Sequence, residues 1–323
     1  MSEPIGVLVM AYGTARGPED IERYYTDILG GRSPSREHLR ELERRYAAIG
    51  NVFPLFDTTR AQAAGLVERL RFDDATFRPY VGMKHSPPSI ADAVAQMRDD
   101  GIDRGVGIVM APHWSGMSVE TYIERVERAV DELGGGPDLS FIRSYHAHPS
   151  FVKFLAGRVA EALDRLDPGE RSGATIFFTA HSLPVRAADD GSLRCKSCDC
   201  AGSCRYQAGL LETADLVAGS LGLGRYGIAW QSAGRTADPW WAPPVEEAIR
   251  LAAGSGASAV VVCSAGFVAD HLVILYDLDI QARAVAEDEG IRFERTRMPN
   301  ADAEYLDVLA DVVRDHLAGV PEA

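Results

Sequence analysis

Short apolar runs recur along the chain, each closed by glycine, proline or a polar cluster, and between them lie longer stretches whose apolar residues return every three or four positions. The first run, Ile5-Gly6-Val7-Leu8-Val9-Met10-Ala11-Tyr12-Gly13, has no polar alternation. Runs of that kind predict strands covered on both faces, and the three-to-four spacing predicts amphipathic helices packed over them. Residues 77–83, 105–110 and 140–145 predict three further strands. Helices are predicted at 19–29, 36–49, 58–71, from 90, and at 119–133; in the second, Leu39, Leu42, Tyr46 and Ile49 fall on one face.

The plan then repeats. Strands are predicted at 174–180, 226–231, 259–264 and 292–298, with helices at 151–166, 206–221, 244–253, 270–289 and from 301. Strict alternation of strand and helix predicts parallel sheets and an α/β fold. Four strands per set predict two similar Rossmann-like halves, residues 1–150 and 151–323, facing one another across a cleft. Each half is a four-stranded parallel sheet flanked by helices, and the terminal helix is expected to pack back on the first half. The string Gly222-Leu223-Gly224-Arg225-Tyr226-Gly227 matches a dinucleotide fingerprint in letters only. It follows a helix and precedes a strand, the reverse of what pyrophosphate binding needs, so it reads as a helix C-cap and turn. No Walker loop, HExxH or GxSxG occurs, and nucleotide, zinc-protease and serine-hydrolase chemistry lose their usual signatures.

At 323 residues, with 46% apolar and 25% charged composition, the chain can bury a full core. Its net charge of -14 argues against nucleic acid as a partner. The amino terminus lacks a basic segment, and the run 5–11 is too short to cross a bilayer, so no transmembrane segment and a cytoplasmic location are expected.

Candidate chemistry collects at strand ends: Tyr12 with Thr14, Lys84 with His85, His113 with Ser115, His181 with Ser182, and Gln231 with Ser232. Taken singly, each has an ordinary structural reading, as a core phenol, a solvated loop imidazole or a cap. Open α/β sheets, however, bind ligands at the carboxyl ends of their strands, and recurrence at that position favours a shared site. His181 is the most pointed case, an imidazole closing the strand Ala174–Ala180 just before Pro184, which forbids continuation.

Eight segments carry a resemblance to a known family: Met10-Ala11-Tyr12-Gly13-Thr14, Asp20-Ile21-Glu22-Arg23-Tyr24-Tyr25, Lys84-His85, Ala111-Pro112-His113, Ala180-His181-Ser182-Leu183-Pro184, Trp230-Gln231-Ser232, Asp238-Pro239-Trp240 and Gly266-Phe267-Val268-Ala269-Asp270-His271-Leu272. In this order, over nearly the whole chain, they resemble the ferrochelatases, and in particular the coproporphyrin ferrochelatases of Gram-positive bacteria. That resemblance implies insertion of iron(II) into coproporphyrin III, with coproporphyrin III and ferrous iron as substrates and transient contact with other haem-pathway enzymes. It implies His181 as metal ligand or proton acceptor and Tyr12 as a ligand from the other face of the ring. Lys84 and His85 would then lie near the cleft, and Arg32, Ser115 and Tyr122 would position propionates.

Three positions depart from the pattern. Val273 stands where the family carries a glutamate paired with the histidine, and valine neither ligates nor titrates. Asp277 or Asp279 is the nearest acid that could take its place. Phe53 replaces a small hydroxyl residue near a propionate, and Gly30-Gly31-Arg32 keeps one arginine of a more basic segment. Two other readings follow: a porphyrin- or haem-binding homologue with chelation impaired by Val273, and a chelatase for another tetrapyrrole or metal.

Four of the five cysteines, Cys195, Cys198, Cys200 and Cys204, fall within ten residues. In a reducing compartment such spacing predicts a metal site, either tetrahedral zinc or a [2Fe–2S] cluster, with a reactive thiol loop as a third reading. The resemblance favours [2Fe–2S], because some ferrochelatases carry cluster ligands in an insert after the AHSLP histidine. Cys263, inside a valine run, reads as a small core residue.

Overall fold

The computed structural model describes residues 3–70, 75–188, 191–197, 200, 204–234 and 236–319. The first half runs β1 (Ile5–Ala11), a 3₁₀ turn, α1 (Ile21–Ile28), α2 (Arg36–Ala48), α3 (Leu55–Arg69), β2 (Phe77–Met83), α4 (Ile90–Asp99), β3 (Arg104–Val109), α5 (Val119–Glu132) and β4 (Asp138–Ile142). The second runs α6 (Pro149–Leu163), α7 (Pro168–Ser172), β5 (Ala174–His181), the hairpin strands β6 (Val185–Ala187) and β7 (Leu193–Cys195), α8 (Arg205–Leu221) and β8 (Tyr226–Gln231). After these come α9 (Val245–Gly254), β9 (Ala259–Cys263), a π-helix (Val273–Ala282), α10 (Arg283–Asp288), β10 (Arg292–Arg295) and α11 (Ala303–Leu317).

Two four-stranded parallel sheets result, ordered β2-β1-β3-β4 and β10-β9-β5-β8. In the first, the chain leaves β1 on one side to form β2 and crosses to the other for β3. In the second, β8 forms on one side of β5 and β9 on the other. Strand order therefore reverses at β1 and at β5, and a crevice opens beyond the carboxyl end of the strand where order reverses. Tyr12 follows the last residue of β1, and His181 is the last residue of β5. The topology alone singles out these two.

One apolar core joins strands of both sheets: Val7, Val9 and Ile108 belong to the same cluster as Phe178, Val261 and Leu309. Helix α11 lies in it and docks on α3, where the missing side chain of Gly65 makes room for Leu306; a Cβ there would meet Leu306 Cδ1 at 2.5 Å. Arg69 Nε donates to Asp307 Oδ1 at 2.6 Å, and Arg314 Nη2 to the Arg69 carbonyl at 2.7 Å.

Differences from the sequence reading have local causes. The fourth strand ends at Ile142 instead of Tyr145 because Ser144 Oγ and the Tyr145 N–H both donate to the Pro112 carbonyl beyond β3, which draws the chain off the ladder. The hairpin β6–β7, with Val185 opposite Cys195, was not expected. The predicted helix 270–289 is largely a π-helix, ten residues long. Its apolar positions Ile274, Leu278 and Ala282 repeat strictly every four residues and are all buried. A spacing of four lies between the 3.6 residues of an α turn and the wider π turn, so it suits either helix. Gly222 caps α8 in the left-handed conformation, φ 66°, as expected of the discarded glycine string.

Candidate active site

His181 extends β5 opposite Gln231 of β8. Its Nδ1–H donates to the Ser182 carbonyl at 2.5 Å, which fixes the tautomer and leaves Nε2 an acceptor. Burial holds this imidazole below its ordinary pKa, partly offset by that hydrogen bond. His271 is its electrostatic neighbour and has the same arrangement, Nδ1–H donating to the Ala269 carbonyl at 2.9 Å. Burial foremost, helped by His181 and opposed by the backbone bond and by Asp270, brings His271 down to about 4. Two neutral imidazoles thus sit together, each with one nitrogen committed to the backbone. Close approach of the chains requires Gly266 here, since a Cβ would stand 2.5 Å from that of Ala180.

The π-helix begins two residues beyond His271, and in it Val273 and Asp277 stand about one π turn apart. Asp277 is buried, accepts a short hydrogen bond from Ser232 Oγ, and lies 4.0 Å from Arg45 Nη1 of α2. Desolvation raises it to about 6, with Ser232 and Arg45 opposing. Ser232 itself takes a positive φ of 54° to present its hydroxyl, a conformation uncommon outside glycine.

The other wall is built at the ends of β1 and β2. The N–H groups of Lys84 and His85 donate to the carbonyls of Ala11 and Tyr12, each at 2.9 Å, continuing the ladder past the strands. The ring centroids of Tyr12 and His85 are consequently 4.7 Å apart. Gly13 turns the chain away at φ 102°, in the region that glycine favours. Tyr12 keeps 44% of its surface open, although the surrounding walls withdraw enough water to push its phenol up to about 12. Lys84 Nζ donates to Thr121 Oγ1 at 2.5 Å and lies 4.9 Å from the Tyr122 ring. Burial, with Arg125 as a second cause, lowers Lys84 to about 8. Arg125 donates a short hydrogen bond to the Lys84 carbonyl. Tyr24 of α1, electrostatically coupled to Tyr12, Tyr46, Tyr122 and Asp27, is held well above the usual phenol value, chiefly by burial.

Leu272, immediately before Val273, packs against the cluster of Ile21, Tyr24, Tyr46 and Phe53. Phe53 stacks on Tyr46 at 4.6 Å and so extends this apolar surface. Ser115, beyond β3, is buried, and its hydroxyl has no partner among the described residues. Arg32 is exposed, its Nε donating only to the Leu29 carbonyl at 3.3 Å. Sequence reasoning quoted His271 without a role and passed over Asp27 and Arg125. Arg125 stands four residues after Thr121 on α5, a spacing that could have revealed it.

The cysteine loop packs behind His181. Tyr206 donates its hydroxyl to the His181 carbonyl at 2.9 Å, Ser182 Oγ donates to the Trp241 carbonyl at 3.0 Å, and Trp241 Nε1 donates to Cys195 Sγ at 3.3 Å. Cys195 and Cys204 are buried with sulfurs 3.2 Å apart, and Cys204 caps the start of α8. The Cys195 thiol and the first N–H groups of that helix hold the Cys204 thiol below its ordinary value. Cys198 lies outside the described residues, and Cys200 is in a disulfide and offers no thiolate. Among the described residues no three His, Cys, Asp or Glu side chains gather as a metal site. The expectation of a [2Fe–2S] cluster, or of zinc, on four thiolates therefore finds no support: a thiol pair and a disulfide are not that ligand set.

The ferrochelatase family model matches residues 4–317. The chain belongs to the ferrochelatase family. It is 43% identical over 316 residues to the coproporphyrin III ferrochelatase of Anoxybacillus flavithermus, covering 97% of this chain and 96% of that one. To the coproporphyrin III ferrochelatase of Bacillus subtilis it is 42% identical over 312 residues, 96% of each chain. Among solved structures, the cobalt complex of the sirohydrochlorin chelatase SirB from Bacillus subtilis subspecies spizizenii shares the fold, with a TM-score of 0.57 at 8% identity over 97% of this chain and 94% of that one. The chain thus shares the α/β fold of that structure. Among its described residues no helix is long and apolar enough to cross a membrane.

Proposed function

We propose that the protein inserts iron(II) into coproporphyrin III between the walls headed by His181 and Tyr12. The observation that carries this reading is the placement of those two side chains at the order-reversing strands of two like sheets, in a chain more than 40% identical to coproporphyrin III ferrochelatases.

Metal insertion exchanges two pyrrole protons for one divalent ion. His181, held neutral with Nε2 free, accepts a hydrogen bond and then a proton from a pyrrole N–H, and can pass iron to the ring nitrogens. Asp277 takes the part that a glutamate at 273 would play: raised to about 6, it is ionised at neutral pH yet basic enough to receive the second proton. Tyr12 stays protonated until iron arrives and then ligates from the opposite side, since a bound cation draws a phenol proton off. The stacked Tyr46 and Phe53 offer the macrocycle an apolar surface. Lys84 and Arg32 meet the propionate edge by charge-assisted hydrogen bonds, with Tyr122 packed against Lys84, while the Ser115 hydroxyl is closed to solvent and takes no part. No step is assigned to a cluster.

Anaerobic incubation of the protein with Fe(II) and coproporphyrin III, beside protoporphyrin IX and sirohydrochlorin, and with Co(II) beside Fe(II), tests the reading. Coproporphyrin III with iron should be metalated fastest; preference for another pair would replace it. Val273 favours a second reading, a porphyrin-binding homologue with weakened chelation. Tight coproporphyrin III binding without turnover, and turnover gained by Val273→Glu, would establish that one.

A further inference from the structure

His85 Nδ1 lies 2.6 Å from Asp27 Oδ1, a separation at which a carboxylate holds the imidazole N–H. The two residues are 58 apart in sequence. Asp27 comes from the last turn of α1, and His85 is fixed by its own N–H to the Tyr12 carbonyl. His85 is 9% exposed and Asp27 about half, so the carboxylate stays hydrated while the ring it holds does not. With Nδ1–H given to Asp27, Nε2 is the acceptor. It takes no partner among the described residues and is not sealed from solvent, and the ring that carries it lies against that of Tyr12. His181 shows the same logic on the other wall, where a backbone carbonyl does the fixing.

Resting on the reading of this cleft as the metalation site, we infer that Asp27 is a positioning residue for the reaction. It locks the rotamer and tautomer of His85 so that Nε2 meets the bound macrocycle as a hydrogen-bond acceptor on the Tyr12 side, opposite His181. The ring then lies between two aligned acceptors, and Asp27 sets one of them without touching substrate. Outer carboxylates that orient histidines are worth about 10–100-fold where they have been removed from other sites.

The test is a cycle of Asp27→Ala, Asp27→Asn, His85→Ala and the double alanine variant, assayed for iron insertion into coproporphyrin III. Protein labelled with ¹⁵N-histidine reports the His85 tautomer. Asp27→Ala should lower kcat about tenfold with KM within about twofold, and Asp27→Asn, whose Oδ1 still accepts the N–H, should recover most of the loss. The Asp27→Ala effect should vanish in the His85→Ala background, and the spectrum should show His85 as the Nδ1–H tautomer in wild type and Asn variant but mixed in Asp27→Ala. An unchanged kcat in Asp27→Ala, or a loss that persists without His85, overturns the inference and leaves the cleft reading intact. A wild type that fails to metalate coproporphyrin III overturns both, and the tautomer measurement still reports whether Asp27 governs the ring.

Discussion

On the proposed reading, catalytic strength turns on Val273, because a valine instead of a carboxylate at the start of the π-helix leaves Asp277, one π turn on, to work alone. Restoring the acid by Val273→Glu should raise kcat for iron insertion about tenfold or more, within the usual range for a positioned acid–base group; an unchanged or lower kcat would mean that Asp277 already suffices. Asp277 also sets an acid limit. It titrates at about 6, and the imidazole of His181 is lowered from its ordinary value, so kcat/KM should fall as pH drops through 6, and Asp277→Asn should lower the plateau and erase the part of that limb that Asp277 carries. Stability carries the matching sign. Folding raises Asp277 above its ordinary 3.8, so its contribution is complete below about pH 4 and is lost as pH rises through 6. Asp277→Asn should therefore raise Tm relative to wild type at pH 8 more than at pH 4, a difference that paired melting curves would reveal.

Among the elements, strands were the most legible, since burial on both faces writes an uninterrupted apolar run; β2, β8 and β9 were found within a residue of their observed ends. The π-helix was hidden because the four-residue spacing of Ile274, Leu278 and Ala282 suits an α-helix as well as a π-helix. The hairpin β6–β7 was hidden for another reason: strands of three residues carry no period. Helix α11 shows how an element is held by one interlocking pair. Leu306 fills the notch left by Gly65, and Leu306→Ala should cost about 2–5 kcal/mol in urea unfolding, as large-to-small core changes do. A cost below about 1 kcal/mol would mean that α11 docks through its ion pairs instead.

At the scale of the molecule, duplication of one plan accounts for the site. Each sheet reverses strand order at its first strand, and at the end of each of those strands stands a side chain of ligating chemistry, the phenol of Tyr12 just after β1 and the imidazole of His181 closing β5. The alternation of elements, the strand-end residues and the family resemblance were all readable in sequence. Asp27 with His85, Arg45 with Asp277 and Leu272 against Tyr46 were not, because contacts across tens to hundreds of residues leave no local period. The cluster read from the cysteine spacing gained no support: spacing counts thiols without saying which are paired, and Cys200 is in a disulfide.

Side-by-side anaerobic metalation of coproporphyrin III by wild type, His181→Ala and Tyr12→Phe, followed by the visible spectrum of the iron porphyrin, bears most directly on the cleft. Wild type should turn over, His181→Ala should fall by about 100-fold or more, and Tyr12→Phe should lose a smaller part. Undiminished turnover in His181→Ala would contradict the account.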